Sequence, residues 1–463
     1  RWTVTTKSPQ TGIFTDGNGG GDFGTELKFA GYDQIVFYGR SPKPVYLWIN
    51  DGHVELRDAS HLWGKTIPDT HNLLVKELGD REIRELCIGP AGENLVRIAK
   101  IYANMTRAGG KGGTGAVMGS KNLKAIAVRG TGSVKIAKPD ELYRATKHCY
   151  EKLAASSWHQ KLGEEGTFTY YEIAPEWRSL NTRNGQAGYM EGIENLGWGQ
   201  YKAQYVVKRT GCAACPLSCS QYYQVKEGPY ATRGGSAQYG TTYPFATKLG
   251  ATNLAAALKL SNMCDEFGLD THSCGAAISF AMEAWQRGLI TDKDTDGIDL
   301  SWGNVDAAIQ LVPKIAHREG FGNILAEGSW RASKLIKGAE VCLNTTKGLE
   351  CSDYFPGENA SKVMALGFAT APVGGSLHRG WGGWGLPSHP KIKNALSEEV
   401  FKRLGDPQSY EGQGGVLAVE NDFIAAVASA GSCIFMWGGE TGLNHDDLAW
   451  LISAVTGVEV DGD

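Results

Sequence analysis

Cys212-Ala-Ala-Cys215-Pro-Leu-Ser-Cys219 sets three thiols at C-x2-C-x3-C spacing. A run this short lets three thiolates converge on one inorganic centre, as in iron–sulfur proteins. A [4Fe–4S] cluster takes four thiolates, so a fourth must come from elsewhere in the chain. Zinc is an alternative, but zinc sites usually add a second C-x2-C or a paired His, and neither follows here. Three unrelated thiols are the remaining reading. By spacing alone Cys264, Cys274, Cys342, Cys351 and Cys433 all qualify as the fourth ligand. Cys433 stands in Ala-Gly-Ser-Cys433-Ile-Phe, just past an expected helix, where a glycine-containing turn can present it. Cys87 and Cys149 lie in apolar or amphipathic runs and read as packing residues.

Glycine is the second signal. The chain has 62 glycines among 463 residues, nearly twice the usual share of about 7%. Arg107 to Lys121 brings Gly109, Gly110, Gly112, Gly113 and Gly115 together with three cations. Successive N–H groups in such turns form anion nests. The segment is neither a Walker A loop nor G-x-G-x-x-G, so it predicts phosphate binding without naming a nucleotide fold. Asp16 to Gly24 is a second glycine loop, and loops of that composition are often plain turns.

Two carboxylates stand out by position. The helix expected over Asn253–Glu266 should end at Gly268, which puts Asp265 in its last turn, where the dipole disfavours anions. Asp270 follows. Carboxylates so placed suit a donor-rich ligand such as a pterin's amino and ring N–H groups, with a solvated surface pair as the alternative. His378, beside Arg379 amid glycines and tryptophans, reads as a pocket wall and a proton carrier. A lone His is still most often structural.

These residues need elements to hold them. Residues 1–134 read as mainly β, with strand-like runs at Gln34–Tyr38, Pro44–Ile49, His53–Arg57 and Ala125–Val128. Asn50-Asp51-Gly52 between two of them is a hairpin signal, and helical patches are expected at Asp69–Leu78 and Gly92–Ala103. Residues 135–345 turn helical, at Asp140–Leu153, Asn253–Glu266, Ser273–Arg287 and Val305–Glu319. A long irregular stretch runs between them from about 160 to 245. Residues 346–463 mix glycine-rich loops with helices at Ser397–Leu404 and Val419–Ala430. The class is therefore α+β, a β-sheet base domain followed by two mainly helical domains.

Bulk properties exclude some functions. The net charge is −4, which offers no footprint for nucleic acid. No apolar run reaches the ~18 residues of a membrane span. Grouped cysteines in a chain this long indicate a metal site in a reducing compartment, hence the cytoplasm. The chain opens on Arg1 rather than Met and stops abruptly at Asp463, so more sequence is expected at both ends.

Taken together, these segments resemble the aldehyde:ferredoxin oxidoreductase family. The likeness rests on six segments. They are Ser8-Pro9 with the glycine loop and Glu26–Asp33, RAGGKGGTGAVMGSKNLK over 107–124, Cys212/Cys215/Cys219, Asp265–Asp270, Lys347–Glu350, and Cys433. The resemblance implies a β base under a tungsten or molybdenum bis-pterin, with one [4Fe–4S] cluster nearby and Mg2+ bridging the pterin phosphates. Cys212, Cys215, Cys219 and Cys433 would hold the cluster. Arg1, Asn18, Gly19, Arg107, Ala108, Gly109 and Gly110 would surround the phosphates. Asp265, Leu269 and Asp270 would hold a pterin ring, and His378, with Arg379 beside it, would handle the proton.

It further implies interconversion of aldehydes and carboxylic acids in an oligomer, with electrons passing to ferredoxin or to an iron–sulfur or flavin partner subunit. Two departures bear on the substrate. Aldehyde-oxidising members carry P-E-Y-E-T after the cluster cysteines, where this chain reads Ala237-Gln238-Tyr239-Gly240-Thr241. An Asp is also expected five residues before Cys433, where Ala428 stands. Glu350, Asp353 and Glu358 are nearby acidic substitutes. A related reductase, such as the tungsten subunit of benzoyl-CoA reductases, is the rival, although no Cys falls between Cys219 and Cys264 to match it. A non-catalytic electron-transfer subunit is a second rival.

Overall fold

The computed structural model describes residues 1–176, 178–351, 362–376, 398, 409–437 and 441–462. Residues 45–129 build a six-stranded sheet of order β4-β3-β8-β5-β6-β7. Its strands are β3 (Val45–Asn50), β4 (His53–Asp58), β5 (Arg84–Cys87), β6 (Ile101–Ala103), β7 (Arg107–Gly109) and β8 (Leu123–Arg129). The expected turn joins β3 to β4: Asn50 pairs with His53, and Asp51 takes φ 47°, the left-handed conformation such two-residue turns require. A separate hairpin of β1 (Trp2–Lys7) and β2 (Phe14–Gly19) packs on β7.

Both faces of the sheet are covered, and the period of two along β3 assigns them. Leu47 and Ile49 point into a core with Trp2, Phe23, Leu86, Ile101 and Val128. Tyr46 and Trp48 point the other way, onto the helix Ile67–Leu78 through Ile67 and Leu74.

Two expectations here are corrected. Gln34–Tyr38 forms no strand. Its alternation is real, since Ile35 and Phe37 pack on the core while Val36 and Tyr38 face solvent, but no neighbouring edge bonds to it. Gly92–Ala103 is helical only at its start, within Pro90–Glu93. Leu95 turns to φ 55°, a second turn is closed by Ala99 N on Val96 O (2.9 Å), and the chain then passes beside residues 268–270. Lys100 N donates to Gly268 O (2.8 Å), and Asp270 N to Ile98 O (2.8 Å).

The remainder is mainly helical. Helix Leu254–Phe267 is capped by Asn253, which accepts from Ala256 N (3.1 Å), and ends on Gly268 at φ 75°, the left-handed C-terminal cap. Helix Thr271–Gln286 is buried on all sides over Thr271–Ala284, which marks a central core helix. Helices Pro139–Ala155 and His445–Thr456 pack together through Cys149 and Leu153 on the first and Leu451 on the second, with Leu443 just before it. The stretch 160–245 is less irregular than its sequence reads. It holds short helices and a sheet of order β11-β10-β9, made of β9 (Val206–Thr210), β10 (Ser220–Val225) and β11 (Thr232–Gly234). Aromatic stacking replaces periodicity there, with Phe168 on Tyr201 at 4.0 Å and Tyr239 on Tyr243 at 5.1 Å between ring centroids. The helix expected at Val419–Ala430 runs from Gln413 to Ser429. Apart from Glu398, the one expected at Ser397–Leu404 lies outside the described residues. The fold is α+β, as expected. No helix among the described residues is long and apolar enough to cross a membrane.

Candidate functional site

The cysteine run is the connection from β9 to β10, closed at its base by the Thr210–Ser220 pair. Ala214 and Ser218 adopt φ 52° and 45°, which coils the loop tightly. Cys215 N donates to Cys212 O (3.2 Å), Ser218 Oγ to Cys215 O (3.2 Å) and Arg209 to Leu217 O (3.0 Å). Buried Leu217 anchors the loop on the body. Cys433 arrives from the turn after helix Gln413–Ser429, and it lies near enough that its charge, with those of Cys212 and Cys215, acts on Cys219.

The other candidates for the fourth position are elsewhere. Cys264 and Cys274 are fully buried as free thiols beside each other in the core. Cys342 adjoins Glu283 and Arg287, and Cys351 contacts Thr346 Oγ1 (3.2 Å). Cys87 and Cys149 are core residues. All ten thiols are free. Among the described residues no three ligating side chains close on a single metal ion; thiolates around a larger cluster stand further apart.

The thiols differ in charge environment. Burial pushes Cys219 up to about 12 and raises Cys433. Burial also opposes ionisation of Cys212, but the Arg107 cation, the Gly21 N–H and the charge of Arg1 outweigh it and hold that thiol below its ordinary value. Arg107 points Nε at Cys212 Sγ (3.4 Å) and a terminal nitrogen at Ser220 Oγ (2.8 Å). The donor chemistry around Cys212 therefore suits a thiolate, as a cluster ligand must be.

The glycine segments meet this loop. A Cβ on Gly20 would stand 2.7 Å from Cys212 Sγ, so that approach demands glycine. Gly19 and Gly109 both abut the Trp2 ring, while Gly112 abuts Thr15 and Gly113 the Arg97 carbonyl. Asn18 is bonded within its hairpin, accepting from Thr3 Oγ1 (2.6 Å) and donating to Asp16 (3.0 Å). Ala108 pairs with Tyr102 across β6–β7. The backbone nitrogen of Arg1 lies 3.4 Å from the Gly431 carbonyl, two residues from Cys433. The picture of three cations over a nest is corrected. Lys111 reaches the carbonyls of Glu350 (3.1 Å) and Gly375 (3.4 Å), and Lys121 that of Gly39 (2.9 Å); only Arg107 stays with the loops.

The acidic residues also come to this region. Asp265, in the last turn of its helix, is met by Lys100 Nζ and by Tyr102 OH (2.8 Å). Lys100 also reaches Thr271 Oγ1 (3.3 Å). Asp270 is not set against a dipole as expected. It caps helix Thr271–Gln286, accepting from Ser273 N (2.8 Å), where an anion is favoured. Leu269 is fully buried, with an isolated bridge to Ala99. Two donors on Asp265 and one on Asp270 leave lone pairs for a further donor.

Glu350 is no substitute acid. Fully buried, it accepts from Gln10 Nε2 (2.6 Å), Ser329 N (3.1 Å) and Ser329 Oγ (2.9 Å). His378 and Arg379, with Asp353 and Glu358, lie outside the described residues.

Sequence reasoning passed over Lys100, Tyr102 and Ser220. The signal for Lys100 was available: a lysine inside the apolar run Ile98–Ala103 must find a buried partner. It also passed over His272, whose Nε2 is hydrogen-bonded to Tyr243 OH in the core.

Comparison with known proteins identifies the family. Residues 1–130 match the model of the aldehyde ferredoxin oxidoreductase N-terminal domain, and residues 144–463 that of domains 2 and 3 of the same family. The tungsten-containing aldehyde ferredoxin oxidoreductase of Pyrococcus furiosus is 38% identical over 99% of this chain and 73% of its own length. That of Thermococcus kodakarensis is 37% identical with the same coverage. The WOR-like subunit of a Pyrococcus furiosus aliphatic sulfonate oxidoreductase is 32% identical over 76% of this chain and 57% of its own. Among solved structures, a chain of the active-site complex BamBC of benzoyl coenzyme A reductase, in complex with 1,5-dienoyl-CoA, superposes with a TM-score of 0.84. It is 25% identical, over 99% of this chain and 75% of that one. The chain is an oxidoreductase and belongs to the aldehyde ferredoxin oxidoreductase family.

Proposed function

We propose that the protein interconverts aldehydes and carboxylic acids at a tungsten (or molybdenum) bis-pterin centre and passes electrons through one [4Fe–4S] cluster to ferredoxin or an iron–sulfur partner subunit. The observation that carries this reading is the meeting of Cys212, Cys215, Cys219 and Cys433 with Arg107, the Gly19–Gly21 turn and, through Gly110, Asp270. When bound, the metal centre would supply a two-electron couple and the cluster, held by the four cysteines, a one-electron couple.

The protein's own residues then have distinct tasks. The four cysteines would hold the cluster. Asp265, Leu269 and Asp270 would take the ring donors of a pterin, with Lys100 and Tyr102 fixing the Asp265 carboxylate. Arg1, Asn18, Gly19, Arg107, Ala108, Gly109 and Gly110 would lie around the phosphates, where Mg2+ adds countercharge. Arg379 adjoins His378, which would carry the proton. Oxidation of an aldehyde with water releases two electrons and two protons, so a proton carrier is required.

A second reading keeps the site and changes the substrate. Gln238 and Gly240 remove both carboxylates of the aldehyde-oxidising pattern, which favours a related reductase acting on another carbonyl or acyl compound.

Metal analysis by mass spectrometry on protein purified without oxygen tests the core of the proposal. Stoichiometric tungsten or molybdenum with about four iron per chain is expected. Iron alone would leave an electron-transfer subunit, and zinc alone would sink the reading. A screen of aldehydes against acyl substrates then separates the two reactions.

A further inference from the structure

Gln238, which stands where the family pattern has glutamate, is bonded into the cysteine loop. Its Nε2 donates to the carbonyl of Cys219 (3.2 Å) and to Ser220 Oγ (3.2 Å). Its Oε1 accepts from Thr167 Oγ1 (2.6 Å). A carboxamide can donate on one side and accept on the other, whereas a carboxylate only accepts. Glutamate here would set oxygen against the Cys219 carbonyl and deprive Ser220 of a donor.

Ser220 is 1% exposed and receives a second fixed donor, the terminal nitrogen of Arg107 (2.8 Å), while Ser236 Oγ lies 3.1 Å away. Two donors that cannot reverse fill both lone pairs of the hydroxyl, which locks its position. The guanidinium is planar and rigid, so holding one nitrogen on Ser220 aims Nε at Cys212 Sγ (3.4 Å). Without that anchor the long side chain has other acceptors within reach, among them the Thr106 carbonyl it already touches (2.8 Å).

We propose that Gln238 and Ser220 are positioning residues that set the reduction potential of the iron–sulfur centre by holding the Arg107 N–H on the Cys212 sulfur. The inference rests on the cluster assignment above. Reduction adds one electron to the cluster and increases the negative charge on its sulfurs. A cationic N–H directed at one of them stabilises the reduced form more than the oxidised form and raises the potential.

The test is a redox titration of the anaerobically purified holoenzyme, followed by electron paramagnetic resonance, with iron content measured in parallel. Ser220→Ala and Gln238→Glu are expected to keep iron at the wild-type level and to shift the midpoint to more negative potential. Ser220→Thr, which retains the hydroxyl, should restore it. Unchanged midpoints in Ser220→Ala and Gln238→Glu overturn the proposal. So does loss of iron in Ser220→Ala that Ser220→Thr also shows, because the role is then only structural. Absence of iron from the wild-type protein would remove the cluster assignment itself, an outcome the parallel iron measurement distinguishes from failure of the positioning role.

Discussion

A Cβ placed on Gly110 would stand 2.5 Å from Oδ1 of Asp270. Residues far apart in the chain thus form one wall, and the glycine segment and the acidic segment can serve a single ligand. Gly110 is not in the left-handed region, so the cost of a side chain there comes from this contact. Gly110→Ala should push Asp270 off its cap on Ser273 N, lowering stability by about 1 kcal/mol and lowering pterin content. Thermal unfolding and fluorescence of extracted pterin check both; an unchanged pterin yield would separate Gly110 from the cofactor.

Lys100 and Asp265 are 2% and 15% exposed at the side chain. Removing one partner leaves a buried charge unpaired, so Lys100→Met should destabilise by about 3–5 kcal/mol. The double variant Lys100→Met with Asp265→Leu should recover part of that loss. Urea unfolding midpoints measure the difference, and additive losses would show the pair is not coupled.

Two cysteine substitutions should part company. Cys433→Ser is expected to lose iron and the paramagnetic signal of the reduced cluster. Cys264→Ala, in the core beside Cys274, should keep the iron and lose only packing stability. Equal iron in both variants would exclude Cys433 as a ligand.

His71 and Glu85 give a pH dependence with a defined sign. The Glu85 carboxylate, 3.0 Å from Nδ1, raises His71 above its ordinary 6.5, and burial raises Glu85 above its ordinary 4.5. Both groups hold protons more tightly folded than unfolded, so their contribution to stability falls as pH rises. The His71 part is complete below 6.5 and is lost as pH rises through its raised value. The difference in melting temperature between wild type and His71→Gln should therefore shrink from slightly acid to alkaline pH. A difference that grows would reverse the assignment.

Much of the scaffold was legible locally. Asn253 and Gly268 bracket a helix because an N-cap and a C-terminal glycine act within a few residues of the bonds they complete. Asp51-Gly52 marks its hairpin for the same reason. Gln34–Tyr38 and Gly92–Ala103 misled because their patterns record which side faces the core, while the bonds that define an element lie with distant partners. In 160–245 the aromatic residues pack by ring stacking, which leaves no period to read.

The sequence by itself determined the family, the α+β class, a thiol-rich loop suited to a cluster, and the residue types around it. Those follow from local spacing and from the order of motifs along the chain. Spacing left five cysteines open for the fourth position, and tertiary structure set Cys433 near the loop while burying Cys264 and Cys274 beside each other in the core. It also turned Asp270 onto the next helix as its cap, and sent Lys111 and Lys121 away while keeping Arg107 on Cys212. Each of these depends on where separate segments meet, and hydrogen-bond and charge interactions act over a few ångströms of space however far apart their residues stand in the chain.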